Sequence, residues 1–161
     1  MAKLAVIAGQ GNIPLQIADI AVNMGHDVLV LPIRDQADAD YSNYKNIPIA
    51  LGMLGTTLAL MQEQNCTQVV MVGKVIRPSL IALKPDACAL KLLGKAIKRG
   101  DDSLLRVISD FFATNGIDAL APDGFMPGRL APAGLLAGRA PDAAQEYDIA
   151  LACKILTALG T

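Results

Sequence analysis

The 161-residue sequence predicts an α/β fold built on a doubly wound, mainly parallel sheet. Apolar runs of strand length alternate with segments of helical period, and the first run passes directly into a glycine turn. A 53% apolar content beside only 18% charged residues supplies a core and leaves no extended charged surface. The length accommodates one compact domain, or one domain with a fragment of another.

Leu4 to Ala8 is the first strand, a continuous apolar run suited to burial on both faces. The turn Gly9-Gln10-Gly11-Asn12 follows. A helix is predicted from about Pro14 to Met24, with Leu15, Ala18 and Val22 on one face and Gly25 as its terminator. Val28 to Ile33 is the second strand. After an aspartate-rich loop from Arg34 to Asn46, Ile47 to Leu51 reads as a short third strand, and Gly52 to Gly55 introduces a helix to about Gln64. Gln68 to Gly73 is the fourth strand. Leu90, Leu93 and Ile97 define the apolar stripe of the next helix, with Lys91, Lys95 and Lys98 turned away and Asp86 placed as its cap. Leu104, Leu105, Ile108, Phe111 and Phe112 form a second stripe, capped from Asp101. Ile117 to Leu120 supplies a fifth strand and completes a small Rossmann-like sheet.

Residues 1–120 therefore read as the sheet domain. Residues 121–143 hold four prolines and four glycines, too many for a packed helix or an inner strand, and read as a linker. Residues 144–161 resume a helical pattern through Ile149, Ala152, Ile155, Leu156 and Leu159, a broad apolar face that needs something to pack against.

A net charge of −1 argues against nucleic acid as a partner. No apolar run approaches the roughly 20 residues that cross a bilayer. Met1-Ala-Lys3 leads straight into the first strand without the parts of a secretory signal, so a cytoplasmic location is expected. Cys66, Cys88 and Cys153 are far apart and lack a C-x-x-C pair; they read as small buried hydrophobes rather than disulfide or zinc ligands.

Three segments carry candidate chemistry. Gly9 and Gly11 permit close backbone approach, and the following helix offers unpaired N–H groups and its positive end to an anion, although a glycine here also serves simply to turn sharply. Pro14 stands where a dinucleotide fingerprint needs a small residue, and Arg34 and Asp35 compete for the place of its acidic ribose ligand. Phosphate binding fits these residues better than NAD or FAD binding. In the second segment, Lys74 and Arg77 follow the fourth strand, where they could hold a diphosphate or simply be solvated. In the third, Lys98 to Arg106, Asp101 and Asp102 open a helix beside Arg99; adjacent carboxylates suit a hard cation such as Mg²⁺, or they cap the helix. The single histidine, His26, reads as structural. No Ser-His-Asp, Cys-His or H-E-x-x-H arrangement can be assembled.

Four motifs then occur in order: A-G-x-G-x-x-P at Ala8 to Pro14, G-x-x-x-R-P at Gly73 to Pro78, P-D at Pro85-Asp86, and G-D-D-x-L-L-R at Gly100 to Arg106. Together they resemble the metal-dependent UDP-2,3-diacylglucosamine pyrophosphatases of lipid A biosynthesis, over almost the whole chain. The resemblance implies attack of water at the α-phosphorus, giving UMP and 2,3-diacylglucosamine 1-phosphate, with Mg²⁺ or Mn²⁺ assisting. It also implies peripheral contact with the inner membrane, because the substrate carries two acyl chains.

Members of that family are longer, two-domain proteins whose metal-associated catalytic acid lies in the second half. The resemblance therefore assigns no catalytic or metal residue to this chain. It implies substrate binding by Gly9, Gln10, Gly11, Asn12, Lys74, Arg77, Arg99, Asp101 and Asp102, with a carboxyl-terminal domain or a second copy as partner. The isolated chain is expected to be inactive or weakly active. The alternatives are a non-catalytic module that binds a uridine or other nucleotide and, less favoured by Pro14, a nicotinamide or flavin oxidoreductase domain.

Overall fold

The computed structural model describes residues 2–76, 83, 85–97, 103–132 and 134–159. Five strands form one sheet: β1 (Lys3–Ala8), β2 (Asp27–Pro32), β3 (Lys45–Asn46), β4 (Gln68–Val72) and β5 (Asp118–Leu120). Their order is β3-β2-β1-β4-β5 and every pairing is parallel, the doubly wound arrangement expected. β1 lies at the centre, with Val6 opposite both Val30 of β2 and Val70 of β4. Among the described residues the helices are α1 (Ile13–Asn23), α2 (Leu54–Glu63), α3 (Ala87–Ile97), α4 (Ser103–Thr114) and α5 (Ala143–Leu159).

Strand alternation divides the core into two layers. Leu4, Val6 and Ala8 face one side, where they meet Ile17, Ala18 and Ala21 of α1 and Phe125. Ala5 and Ile7 face the other, together with Met61 of α2 and Phe112 of α4. Both faces are apolar because helices cover both, which is why β1 reads as an unbroken hydrophobic run.

Four local expectations change. The buried stripe of α1 is Pro14, Ile17, Ala18 and Ala21, whereas Val22 is exposed; the small alanines bring α1 close to the sheet. The third strand is not Ile47 to Leu51. The chain does run beside β2, with Ile47 N–H donating to Val30 O and Ile49 N–H to Pro32 O, but Pro48 has no donor and breaks the ladder into β3 and an isolated Ile33–Ile49 bridge. On α3 the buried residues are Ala89 and Leu92, while Leu90 is exposed, so the covered face is rotated from the predicted stripe. The side chain of Ile97 lies outside the described residues, as does the Asp101 cap expected for α4. On α4, Val107 and Phe112 are buried and Leu105 is exposed.

The chain divides into two compact units, Met1–Gly128 and Arg129–Thr161. The first runs past Leu120 because the short 3-10 turn Pro122–Phe125 seats Phe125 in the core, with its ring tilted against His26 at 6.1 Å. This contact gives His26 a packing role. In the second unit, α5 opens on a reciprocal capping box: Gln145 N–H donates to Asp142 Oδ1 and Asp142 N–H to Gln145 Oε1, each at 3.0 Å. No residue of α5 is buried. Of the three free cysteines only Cys66 is buried, and burial raises its thiol pKa; Cys153 on α5 is exposed, against expectation.

The loop from Arg34 to Tyr44 is held onto α1 by Tyr44, whose hydroxyl donates to Asp19 Oδ1. Burial, and then this bond, push the Tyr44 pKa up to about 12 from 10.0. The stability contributed by the neutral phenol is therefore complete below pH 10 and is lost as pH rises to about 12. Tyr44→Phe should remove that dependence, so denaturant midpoints measured from pH 9 upward should decline less steeply in the variant.

Candidate functional site

In a sheet of order 3-2-1-4-5 the topological switch lies between β1 and β4, and ligands bind in the crevice beyond the carboxyl ends of those strands. The loops that leave these two strands are Gly9–Asn12 and Gly73–Ile76. They carry four of the predicted residues in the first loop and Lys74 in the second. Arg77, Arg99, Asp101 and Asp102 lie outside the described residues.

The structure joins the two loops. Gly9 N–H donates to Val72 O at 2.8 Å, Gln10 N–H to Lys74 O at 2.8 Å, and Lys74 N–H returns to Gln10 O at 3.1 Å. Only glycines allow this approach. A Cβ on Gly9 would lie 2.6 Å from Lys74 O, and one on Gly73, where φ is +93°, would lie 2.8 Å from the Gly9 carbonyl carbon. Gly9 and Gly73 are thus the contact surfaces of two backbones that pack against each other.

This geometry revises the expected phosphate cradle. The amides of Gly9 and Gln10 are spent on the end of β4 and on its loop, and Gly11 N–H donates to Asp38 Oδ1 at 2.7 Å. A carboxylate thus already occupies the anion position at Gly11. Pro14 has no N–H to offer. Among the described residues, the Asn12 and Ile13 amides at the start of α1 meet no acceptor, and they remain available to an anion beside the helix dipole. Asn12 makes no side-chain cap bond of its own.

A third loop completes the edge. Gln36 grips the fourth strand's loop through both ends of its amide: Ile76 N–H donates to Gln36 Oε1 at 3.0 Å, and Gln36 Nε2 donates to Ile76 O at 3.1 Å. Residues 9–12, 36–38 and 73–76 therefore form one hydrogen-bonded platform. Lys74 is exposed on it and makes no ion pair among the described residues. Gln36 and Asp38 were missed by sequence reasoning, since their partners lie 40 and 27 residues away and no local pattern announces them.

Arg34, one of the two residues competing for the ribose position, reaches Pro48 O at 3.4 Å; the other, Asp35, sits at φ +61° in the turn after β2. Among the described residues no three His, Cys, Asp or Glu side chains converge as a metal site. No helix among the described residues is long and apolar enough to cross a membrane.

Comparison with known proteins places this geometry among relatives. Residues 3–129 match the family model of the LpxI N-terminal domain. UDP-2,3-diacylglucosamine pyrophosphatase LpxI of Caulobacter vibrioides is 31% identical over 163 residues, covering 99% of this chain and 58% of its own length. The chain thus spans less than two thirds of that relative. Among solved structures, a short chain dehydrogenase family protein of Francisella tularensis is 16% identical, with a TM-score of 0.42 over 73% of this chain and 47% of its own. Bordetella bronchiseptica WbmH, solved in complex with NAD+, is also 16% identical, with a TM-score of 0.39 over 48% of this chain and 28% of its own.

Proposed function

The chain belongs to the LpxI N-terminal domain family, and from that premise we propose that it is the substrate-binding portion of a hydrolase cleaving UDP-2,3-diacylglucosamine to UMP and 2,3-diacylglucosamine 1-phosphate in lipid A biosynthesis. The observation that carries this reading is the platform at the switch point: two loops locked together by Gly9 and Gly73, one carrying the exposed Lys74 and the other leading into the open amides of α1.

A diphosphate needs positive charge and N–H donors at fixed positions. Lys74 offers a mobile ammonium and the start of α1 offers rigid amides, so the pair can neutralise and orient a diphosphate while water attacks the α-phosphorus. Arg77, Arg99, Asp101 and Asp102, which lie outside the described residues, enter this proposal as further substrate-binding residues on the family resemblance alone. Mg²⁺ or Mn²⁺ is assigned to residues in the part of the relative's length that these 161 residues do not span, and the general barrier-lowering chemistry goes with it. The reading places the chain in the cytoplasm, in peripheral contact with the inner membrane that holds its substrate.

Lys74→Ala tests the grip. A charge-assisted bond contributes about 1.5–3 kcal/mol, so affinity for uridine diphosphate should fall at least tenfold by calorimetry while the unfolding temperature stays unchanged. Unaltered affinity would return Lys74 to a solvated loop.

A further inference from the structure

We propose that Gln36 is a positioning residue for the anion site: by holding Ile76 through both ends of its amide, it fixes the chain that carries Lys74 and so sets how tightly a diphosphate binds. The inference rests on the function proposed above and adds a residue from outside both switch-point loops.

Gln36 stands on a rigid base. Asp35, at a φ of +61°, reverses the chain after β2, so that Gln36 N–H donates to Ile33 O at 3.1 Å and Ala37 N–H to the same oxygen at 2.9 Å. Arg34 N–H donates to Ile49 O at 2.8 Å, and both Ile33 and Ile49 are buried. From this turn the side chain crosses to Ile76, 40 residues later, accepting from its N–H at 3.0 Å and donating to its carbonyl at 3.1 Å. A primary amide offers a donor and an acceptor side by side, as a neighbouring strand would. Asparagine is one methylene shorter and glutamate would set an oxygen against the Ile76 carbonyl, so neither reproduces the pair.

Lys74 lies between two such holds. Its own main chain is tied to Gln10 at 2.8 and 3.1 Å, and the segment is tied again at Ile76, while its side chain stays exposed. A ligand that needs one loop conformation binds in proportion to the fraction of molecules that hold it. Removing the Gln36 amide lowers that fraction and leaves the cation in place.

The test is a double-mutant cycle in the full 161-residue chain, read as calorimetric affinity for uridine diphosphate. Gln36→Met keeps the side chain's length, removes both bonds, and should weaken binding about fivefold. In the Lys74→Ala background the same change should weaken it by less than about twofold, because Gln36 acts through the loop that carries Lys74. Amide hydrogen exchange gives a second readout: in Gln36→Met the Ile76 amide should lose more protection than those of Val6 and Val70 in the sheet. In the unaltered chain, which needs no variant to fold, saturating uridine diphosphate should raise protection of the Ile76 amide. Equal losses in the two backgrounds, Ile76 protection unchanged in Gln36→Met, or an Ile76 amide indifferent to uridine diphosphate would each overturn the proposal. No binding of uridine diphosphate by the unaltered chain would sink the proposed function and this inference together; binding that Gln36→Met leaves undiminished would sink the inference alone.

Discussion

Gly73→Val should destabilise the first unit by about 3 kcal/mol and remove uridine nucleotide binding. The left-handed φ of +93° costs a non-glycine residue about 1–2 kcal/mol, and more for a β-branched one. The added Cβ would also lie 2.8 Å from the Gly9 carbonyl carbon and 2.9 Å from Gln10 O. Both are backbone atoms held by the Gln10–Lys74 pair, so relief requires the loops to part. Gly11 provides the control: its φ is +92°, yet a Cβ there meets nothing within 4 Å, so Gly11→Ala should cost only about 1 kcal/mol of conformational strain. Denaturant unfolding of the two variants separates backbone strain from loop contact. Equal losses would mean that the close approach of the loops contributes nothing.

Asp86→Ala should cost about 2–3 kcal/mol, because one carboxylate caps two helices. Its Oδ1 accepts from Ala89 N–H at 2.8 Å at the start of α3, and its Oδ2 accepts from Gly55 N–H at 2.8 Å and Thr56 N–H at 3.4 Å at the start of α2. A lost cap typically costs about 1 kcal/mol, and here two first turns lose their acceptor at once. Asp86→Asn keeps one acceptor oxygen, serves one helix, and should lose about half as much. Thermal unfolding of the two variants checks that order; an asparagine variant as unstable as the alanine one would contradict the shared cap.

The sequence showed only half of the Asp86 arrangement. Its role at α3 was legible from the Pro-Asp pair before an apolar helix, but its reach to Gly55, 31 residues earlier, was not. The same division holds elsewhere. β1, β2 and β4 were legible because strands covered on both faces are unbroken apolar runs. The third strand was misplaced because Pro48 removes a donor from the middle of a run that otherwise has strand composition. The helix faces were misjudged where small residues, Ala21 and Ala89, hold buried positions and larger Val22 and Leu90 remain outside, whereas Ala18 lies on the face expected.

At the candidate site, the placement of the glycines and Lys74 at the ends of β1 and β4 was legible, and the fate of the amides was not. A glycine turn read in isolation has open donors; in the fold, Val72, Lys74 and Asp38 take those of Gly9, Gln10 and Gly11. The turn therefore does less direct binding and more positioning than its pattern suggests. In the proposed reading the anion meets the Asn12 and Ile13 amides, where α1 begins.

The central claim is that this platform holds a uridine diphosphate rather than a dinucleotide. The most direct measurement is parallel calorimetric titration of the chain with UDP-2,3-diacylglucosamine, uridine diphosphate and NAD. The account predicts saturable binding of both uridine ligands, tighter for the acylated one, and none of NAD. Tight NAD binding with no response to either uridine ligand would contradict it.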